Sequence, residues 1–174
     1  MSNSRTIVRQ AMVTDLGAIN DIYNFYIENT VITFDEEPWP ISQREQWFSE
    51  LLKSNHRILV ATLEDRVVGF AYTAPFRPKT AYQRSAEVTI YTNQEALKGT
   101  GSALYKNLLA KAEENFHRLY AVITLPNDQS IGLHKKFGFA EVGMLDESGF
   151  KFGQYHSVAI LEKRLAQDKV TQLY

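Results

Sequence analysis

Residues 86–105 read AEVTIYTNQEALKGTGSALY, and the fold turns on how this stretch is parsed. Ala86 to Tyr91 is a short β-prone run, and Thr92 to Lys98 is a polar loop. Gly99-Thr100-Gly101-Ser102 then opens a segment whose Leu104, Leu108, Leu109, Ala112 and Phe116 recur at helical spacing. A strand that passes through glycines into a helix lets the backbone approach a ligand closely. The free N–H groups and positive dipole end of that helix suit an anion such as a pyrophosphate. Gly-Lys-Ser/Thr of a Walker loop is absent, and the dinucleotide pattern G-x-G-x-x-G fails at Leu104. Taken alone, the glycines are a weak signal and read more readily as a tight turn into a helix.

Downstream, Tyr120 to Leu125 reads as a buried strand, and Asn127-Asp128 caps a short helix that stops at Gly138. Phe139 to Met144 and Tyr155 to Leu161 read as two last strands, separated by a loop around Gly149 and Gly153. Upstream, Thr6 to Val8 is β-prone, and Thr14-Asp15 caps a helix with Leu16, Ile19, Ile22, Tyr23, Tyr26 and Ile27 on one face. A polar turn, Thr33 to Pro40, leads to Ser42-Gln43-Arg44-Glu45, which spells a capping box ahead of Trp47, Phe48, Leu51 and Leu52. The runs Arg57 to Leu63 and Arg66 to Thr73, joined at Glu64-Asp65, predict an antiparallel hairpin. The expected fold is α/β: a mixed, mostly antiparallel sheet with one strand–helix–strand crossover.

Composition narrows the function classes. The 174 residues carry no internal repeat or linker, so one domain over 1–174 is expected. With 19 Lys+Arg against 20 Asp+Glu, nothing global favours nucleic acid or an anionic membrane as a partner. No apolar run approaches the ~18 residues of a membrane span, and Met1 to Gln10 lacks a secretory apolar stretch, which predicts a soluble, cytoplasmic protein. The chain has no Cys, which excludes disulfides, a thiolate nucleophile and cysteine zinc sites. His56, His117, His134 and His156 are scattered, so no metal is expected. No G-x-S-x-G elbow is present either.

The glycine turn, the strand after it, the Asn-capped helix and its ending Lys136-Phe137-Gly138-Phe139 resemble, in order and spacing, the acyl-CoA-binding half of the Gcn5-related N-acetyltransferase (GNAT) superfamily. Further blocks sharpen the likeness: Thr33-Phe34, Pro75 to Tyr82, Glu87-Val88, Tyr91, Ser102 to Tyr105, Leu125 to Asp128, Leu133-His134 and Gly149-Phe150-Lys151. These resemble the phosphinothricin and methionine sulfoximine acetyltransferases, from about Val8 to about Leu161.

The resemblance implies a sheet splayed between its fourth and fifth strands, with acetyl-CoA as co-substrate in the gap. It implies that Val88, Thr89 and Ile90 offer strand N–H groups to the thioester, that Leu97, Lys98, Gly99, Thr100, Gly101 and Ser102 hold the pyrophosphate, and that Asn127 and His134 border the pantetheine arm. Ala96 stands where the superfamily pattern has Gln or Arg, and Lys98 is a substitute charge. Glu87 is implied as the general base, because an amine attacks a thioester only when neutral and an α-amino group is mostly protonated at pH 7. His134 occupies the place of the residue that protonates the departing thiolate, although a helical His also reads as packing. Arg77 and Lys79 are implied as carboxylate-binding cations, with Phe34, Tyr82 and Tyr91 lining the substrate side. Phe34 and Tyr91 read equally as core aromatics. The implied activity is acetylation of the α-amine of a small amino acid, by direct transfer in a homodimeric enzyme. Acetylation of peptide N-termini or polyamines, or a non-catalytic acyl-CoA sensor, are the alternatives.

Overall fold

The computed structural model describes residues 5–165. Its strands are β1 (Ile7–Gln10), β2 (Ile58–Leu63), β3 (Arg66–Pro75), β4 (Ser85–Thr92), β5 (Arg118–Thr124), β6 (Ala140–Lys151) and β7 (Gln154–Arg164). Its helices are α1 (Leu16–Asn29), α2 (Ile41–Leu52), α3 (Thr100–Ala112) and α4 (Asp128–Lys136). The seven strands form one sheet in the order β1-β2-β3-β4-β5-β7-β6. Neighbouring strands are antiparallel except β4 and β5, which α3 connects as a parallel crossover.

Strand alternation sorts the side chains into two cores. Ala86, Val88, Leu119, Ala121 and Ile123 pack with Leu104, Tyr105 and Leu108 of α3. On the opposite face Phe70 and Tyr91 pack with Ile19, Ile22, Tyr23 and Ile27 of α1 and Phe48 and Leu51 of α2. Period 2 therefore puts Glu87 and Thr89 on the α1/α2 face beside Tyr91.

The crossover, the Asn127 cap and the β2–β3 hairpin match the sequence expectation. Glu64 and Asp65 form that hairpin turn with φ of 49° and 63°, the left-handed pair a two-residue turn uses. Thr14 and Asp15 do not cap α1 but lie in a 3-10 turn, Val13–Asp15, that runs into it, and the Asp15 carboxylate accepts the Met12 N–H at 2.8 Å. Two further expectations fail. The capping box does not form: α2 begins at Ile41 with Pro40 before it, which places Ser42 inside the helix. Proline's fixed φ suits a helix entrance, so the helix starts earlier than its polar signal. The second failure is the loop around Gly149 and Gly153. β6 and β7 run through it as one long hairpin, turning at Phe152 (φ 51°) and Gly153 (φ 76°). Gly153 belongs to that turn, and Gly149 marks a register break after Leu145, where Asp146–Ser148 bulge out. Ser157 holds this bulge by accepting the Glu147 N–H at 3.0 Å and donating to Asp146 at 2.7 Å.

Candidate active site

The parallel ladder joining β4 to β5 lasts three residues, Ser85 to Glu87 against Arg118 to Tyr120. Beyond Tyr120, β5 stays paired with β7 through Thr124, while β4 stays paired with β3 through Thr92. The two strands therefore part into a wedge. Backbone groups of β4 that face this wedge have no strand to pair with, so they are available to a ligand. Val88, Thr89, Ile90 and Tyr91 line one wall, Ala121 to Thr124 the other, and Asn127, Ser130 and His134 close the end.

The wedge opens into a groove of about 770 Å³, lined by Gln94 to Gly101 together with Asn127, Ser130 and Leu133. Gly99 precedes α3 with φ of 97°, a left-handed conformation that glycine adopts without penalty. The first α3 hydrogen bond to the turn is Ala103 N–H to Gly99 O at 2.9 Å, which leaves the Gly101 and Ser102 N–H groups without a helical acceptor. These donors and the helix dipole fit the pyrophosphate of an acyl-CoA, and the wedge fits its narrow pantetheine arm. Lys136, from the last turn of α4, places Nζ 3.2 Å from Ser102 Oγ and adds positive charge here. Sequence reasoning missed Lys136, although it sits in the same Lys-Phe-Gly-Phe block. Ala96, by contrast, packs its methyl group against the core.

Asn127 spends its Oδ1 on the Ser130 N–H at 3.1 Å, so its cap is real and its side chain is held at the groove. His134 is 2% exposed; its Nδ1 donates to Ser130 O at 2.7 Å. Burial lowers its pKa, so the neutral ring carries its lone pair on Nε2. That atom has no hydrogen-bond partner among the described residues, and the same holds for the neighbouring Tyr105 hydroxyl. The two rings meet edge to face, 5.0 Å apart.

Glu87 sits on the last rung, where the wedge begins. Burial raises its carboxyl above the usual carboxylate range, and Arg77 pulls in the opposite direction. The Arg77 guanidinium lies 5.1 Å from the Phe76 ring, and Phe76 stacks on Tyr120, the partner of Glu87, at 4.0 Å. Tyr82 meets Phe76 edge-on at 6.0 Å. The structure thus gathers Glu87, Arg77 and Tyr82 around one aromatic stack, with Lys79 exposed two residues from Arg77. Tyr91 is buried against Tyr23, Tyr26 and Phe70 and also lines the wedge. Phe34 lies over the β6–β7 hairpin, its ring 6.4 Å from that of His156.

In the turn after α1, Asp35 accepts the Tyr23 hydroxyl at 2.6 Å, while Glu36 and Glu37 stand exposed. Among the described residues no group of three or more His, Asp or Glu is placed to hold a metal ion. No described helix is long and apolar enough to cross a membrane.

Comparison with known proteins matches residues 8–159 to the model of the acetyltransferase (GNAT) domain. The chain is 42% identical over 163 residues to a phosphinothricin N-acetyltransferase of Streptomyces coelicolor, covering 91% of this chain and 95% of that protein. It is 31% identical over 161 residues to an L-methionine sulfoximine/L-methionine sulfone acetyltransferase of Pseudomonas aeruginosa, covering 91% and 94%. Among solved structures, a phosphinothricin acetyltransferase from Sinorhizobium meliloti in complex with acetyl-CoA superposes with a TM-score of 0.91 at 31% identity, covering 97% of this chain and 95% of that one.

Proposed function

The chain belongs to the GNAT acetyltransferase family and is an acetyl-CoA-dependent N-acetyltransferase of the phosphinothricin type; on that premise we propose that it acetylates the α-amino group of a small amino acid or analogue, with methionine sulfone, methionine sulfoximine and phosphinothricin as model substrates. The observation that carries the proposal is Glu87 at the fork of the sheet, half-buried, with the Arg77 cation close enough to oppose its shift.

Acetyl-CoA supplies the acyl thioester. Glu87, as general base, takes the proton of the incoming ammonium, directly or through a water. Arg77 and Lys79 hold the substrate carboxylate, Arg77 by its two-pronged guanidinium and Lys79 as a point charge. Phe34, Tyr82 and Tyr91 bound the substrate side chain. Backbone N–H groups of Val88 to Ile90 that face the wedge polarise the reacting carbonyl. Leu97 to Ser102 hold the diphosphate, and Asn127 borders the pantetheine arm. His134 stands beside the departing thiolate; with Nδ1 committed to Ser130, it delivers a proton only after Nε2 has received one. Transfer is direct, with amine and thioester aligned in one ternary complex.

The enzyme works as a homodimer in this reading. Val142, Met144, Leu145, Phe150, Phe152 and Tyr155 stand 49–65% exposed along β6, the turn that follows it and the start of β7, an apolar edge that a second copy would cover. The lack of cysteine accords with a cytoplasmic setting.

The test follows thiol release from acetyl-CoA across free amino acids, methionine sulfone, phosphinothricin, polyamines and short peptides, for wild type and Glu87→Gln. Turnover of carboxylate-bearing amines that collapses in the variant supports the proposal. Turnover confined to peptides or polyamines removes the roles of Arg77 and Lys79, and silence across the panel favours an acyl-CoA sensor.

A further inference from the structure

Lys151 ends β6, yet it is 2% exposed and reaches across the molecule to the segment between α1 and α2. Its Nζ donates to the backbone oxygen of Thr33 at 2.8 Å, a contact spanning 118 residues of sequence. Burial lowers the Lys151 pKa, and the nearby Asp35 and Glu36 oppose that shift, so the acidic turn helps keep the ammonium charged. A buried ammonium left without such partners is strongly disfavoured, so the contact is not incidental.

A second contact reinforces it. Gly149, two residues before Lys151, lies directly beneath the Phe34 ring: a Cβ built there would collide with the ring's Cε2 and Cζ. The bulge held by Ser157 lies immediately before Gly149, which is how the hairpin tip is offset onto Phe34. On its other side the same segment is tied to α1. The Tyr23 hydroxyl meets Thr33 Oγ1 at 3.1 Å and Asp35 at 2.6 Å. Residues 33–35 are thus pinned between α1 and the hairpin.

We propose that Lys151 and Gly149 form a clamp that positions the Thr33–Asp35 segment and its Phe34 ring, so that the hairpin sets how tightly the amine substrate is held without touching it. The proposal rests on the reading of Phe34 as a wall of the substrate pocket. Lys151→Met keeps the length of the side chain and removes its donor, and Gly149→Ala drives a methyl group into the ring.

Both variants are compared with wild type by hydrogen exchange of residues 31–37 and by steady-state kinetics with methionine sulfone and acetyl-CoA. Exchange in 31–37 is expected to accelerate at least tenfold and the amine KM to rise about tenfold, with the acetyl-CoA KM held within twofold. Unchanged exchange overturns the clamp, and so does faster exchange with an unmoved amine KM, or an equal rise in both KM values. If Lys151→Met unfolds, Gly149→Ala carries the same comparison. If wild type turns over no amine, the substrate assignment fails while the exchange measurement still decides the clamp.

Discussion

Glu87 and Tyr120 face each other across the last rung of the β4–β5 ladder, and one residue further the sheet is open. The ladder fixes the backbone of Glu87, and its half-buried side chain stands where the two strands begin to part. Its pKa is raised by burial and held back by Arg77. Because the base must be ionised, kcat falls as pH drops through this raised pKa, so the acid limb lies above the ordinary carboxylate range. Arg77→Gln removes the opposing cation and moves that limb to higher pH. Glu87→Gln lowers kcat by roughly 10²- to 10⁴-fold and abolishes the limb. A pH series of kcat for the three proteins checks both.

The diphosphate site depends on a backbone conformation. At φ of 97°, Gly99→Ala forces a Cβ into a left-handed turn at a cost of about 1–2 kcal/mol, which shifts the first turn of α3. The acetyl-CoA KM rises more than tenfold, and the amine KM changes less. Lys136→Met removes an exposed cation beside Ser102 and raises the acetyl-CoA KM only a few-fold, an effect that fades with added salt. Initial rates at two ionic strengths separate the two substitutions.

The crossover and the cofactor turn were legible because they are local. A strand, a glycine-containing turn and a helix within twenty residues carry their own period and their own punctuation, and so does Asn127 before α4. What could not be read depends on distant neighbours. Lys151 in the sequence is one lysine near a turn, and only the hairpin's bulge brings it to Thr33. Gly149 and Gly153 suggested a loop because a bulge and a tight hairpin turn use the same residues as one. Arg44 falls on the buried stripe of α2 with Phe48 and Leu51, at positions i, i+4 and i+7, and its charge concealed that pattern.

His56 gives the fold a pH-dependent weakness away from the site. It is 6% exposed, stacks on Phe116 at 5.1 Å and meets Thr73 Oγ1 at 3.2 Å. Burial lowers its pKa from 6.5 to about 4. The unfolded chain therefore binds the proton first: the contribution is complete above pH 6.5 and is lost as pH falls from 6.5 toward 4. The loss approaches about 3 kcal/mol for a shift of this size. His56→Phe keeps a ring on Phe116 and cannot titrate, so urea midpoints measured between pH 7 and 4 should decline less steeply in the variant than in wild type.

Arg44 is 1% exposed, and its guanidinium lies 4.2 Å from the Trp39 ring and 4.6 Å from the rings of Tyr23 and Trp47. Nε donates to Asn20 Oδ1 at 3.2 Å, and Asn20 in turn donates to Trp39 O at 2.8 Å, so the cation organises the approach to α2. Nη2 has no hydrogen-bond partner among the described residues, and burial lowers the group's pKa. Aromatic faces make the direct contacts that offset the desolvation of this charge, and the nearby Asp35 carboxylate adds to them. Planarity is the property that matters, since a flat and weakly hydrated cation can lie against several rings where a compact ammonium cannot. Arg44→Lys is therefore the damaging exchange, costing about 2–4 kcal/mol, because it keeps a charge buried without the stacking. Arg44→Met fills similar space with no charge to desolvate and stays within about 1 kcal/mol of wild type. Urea unfolding with unchanged m-values reads the difference; a lysine variant as stable as wild type would show that charge alone, not shape, holds the box.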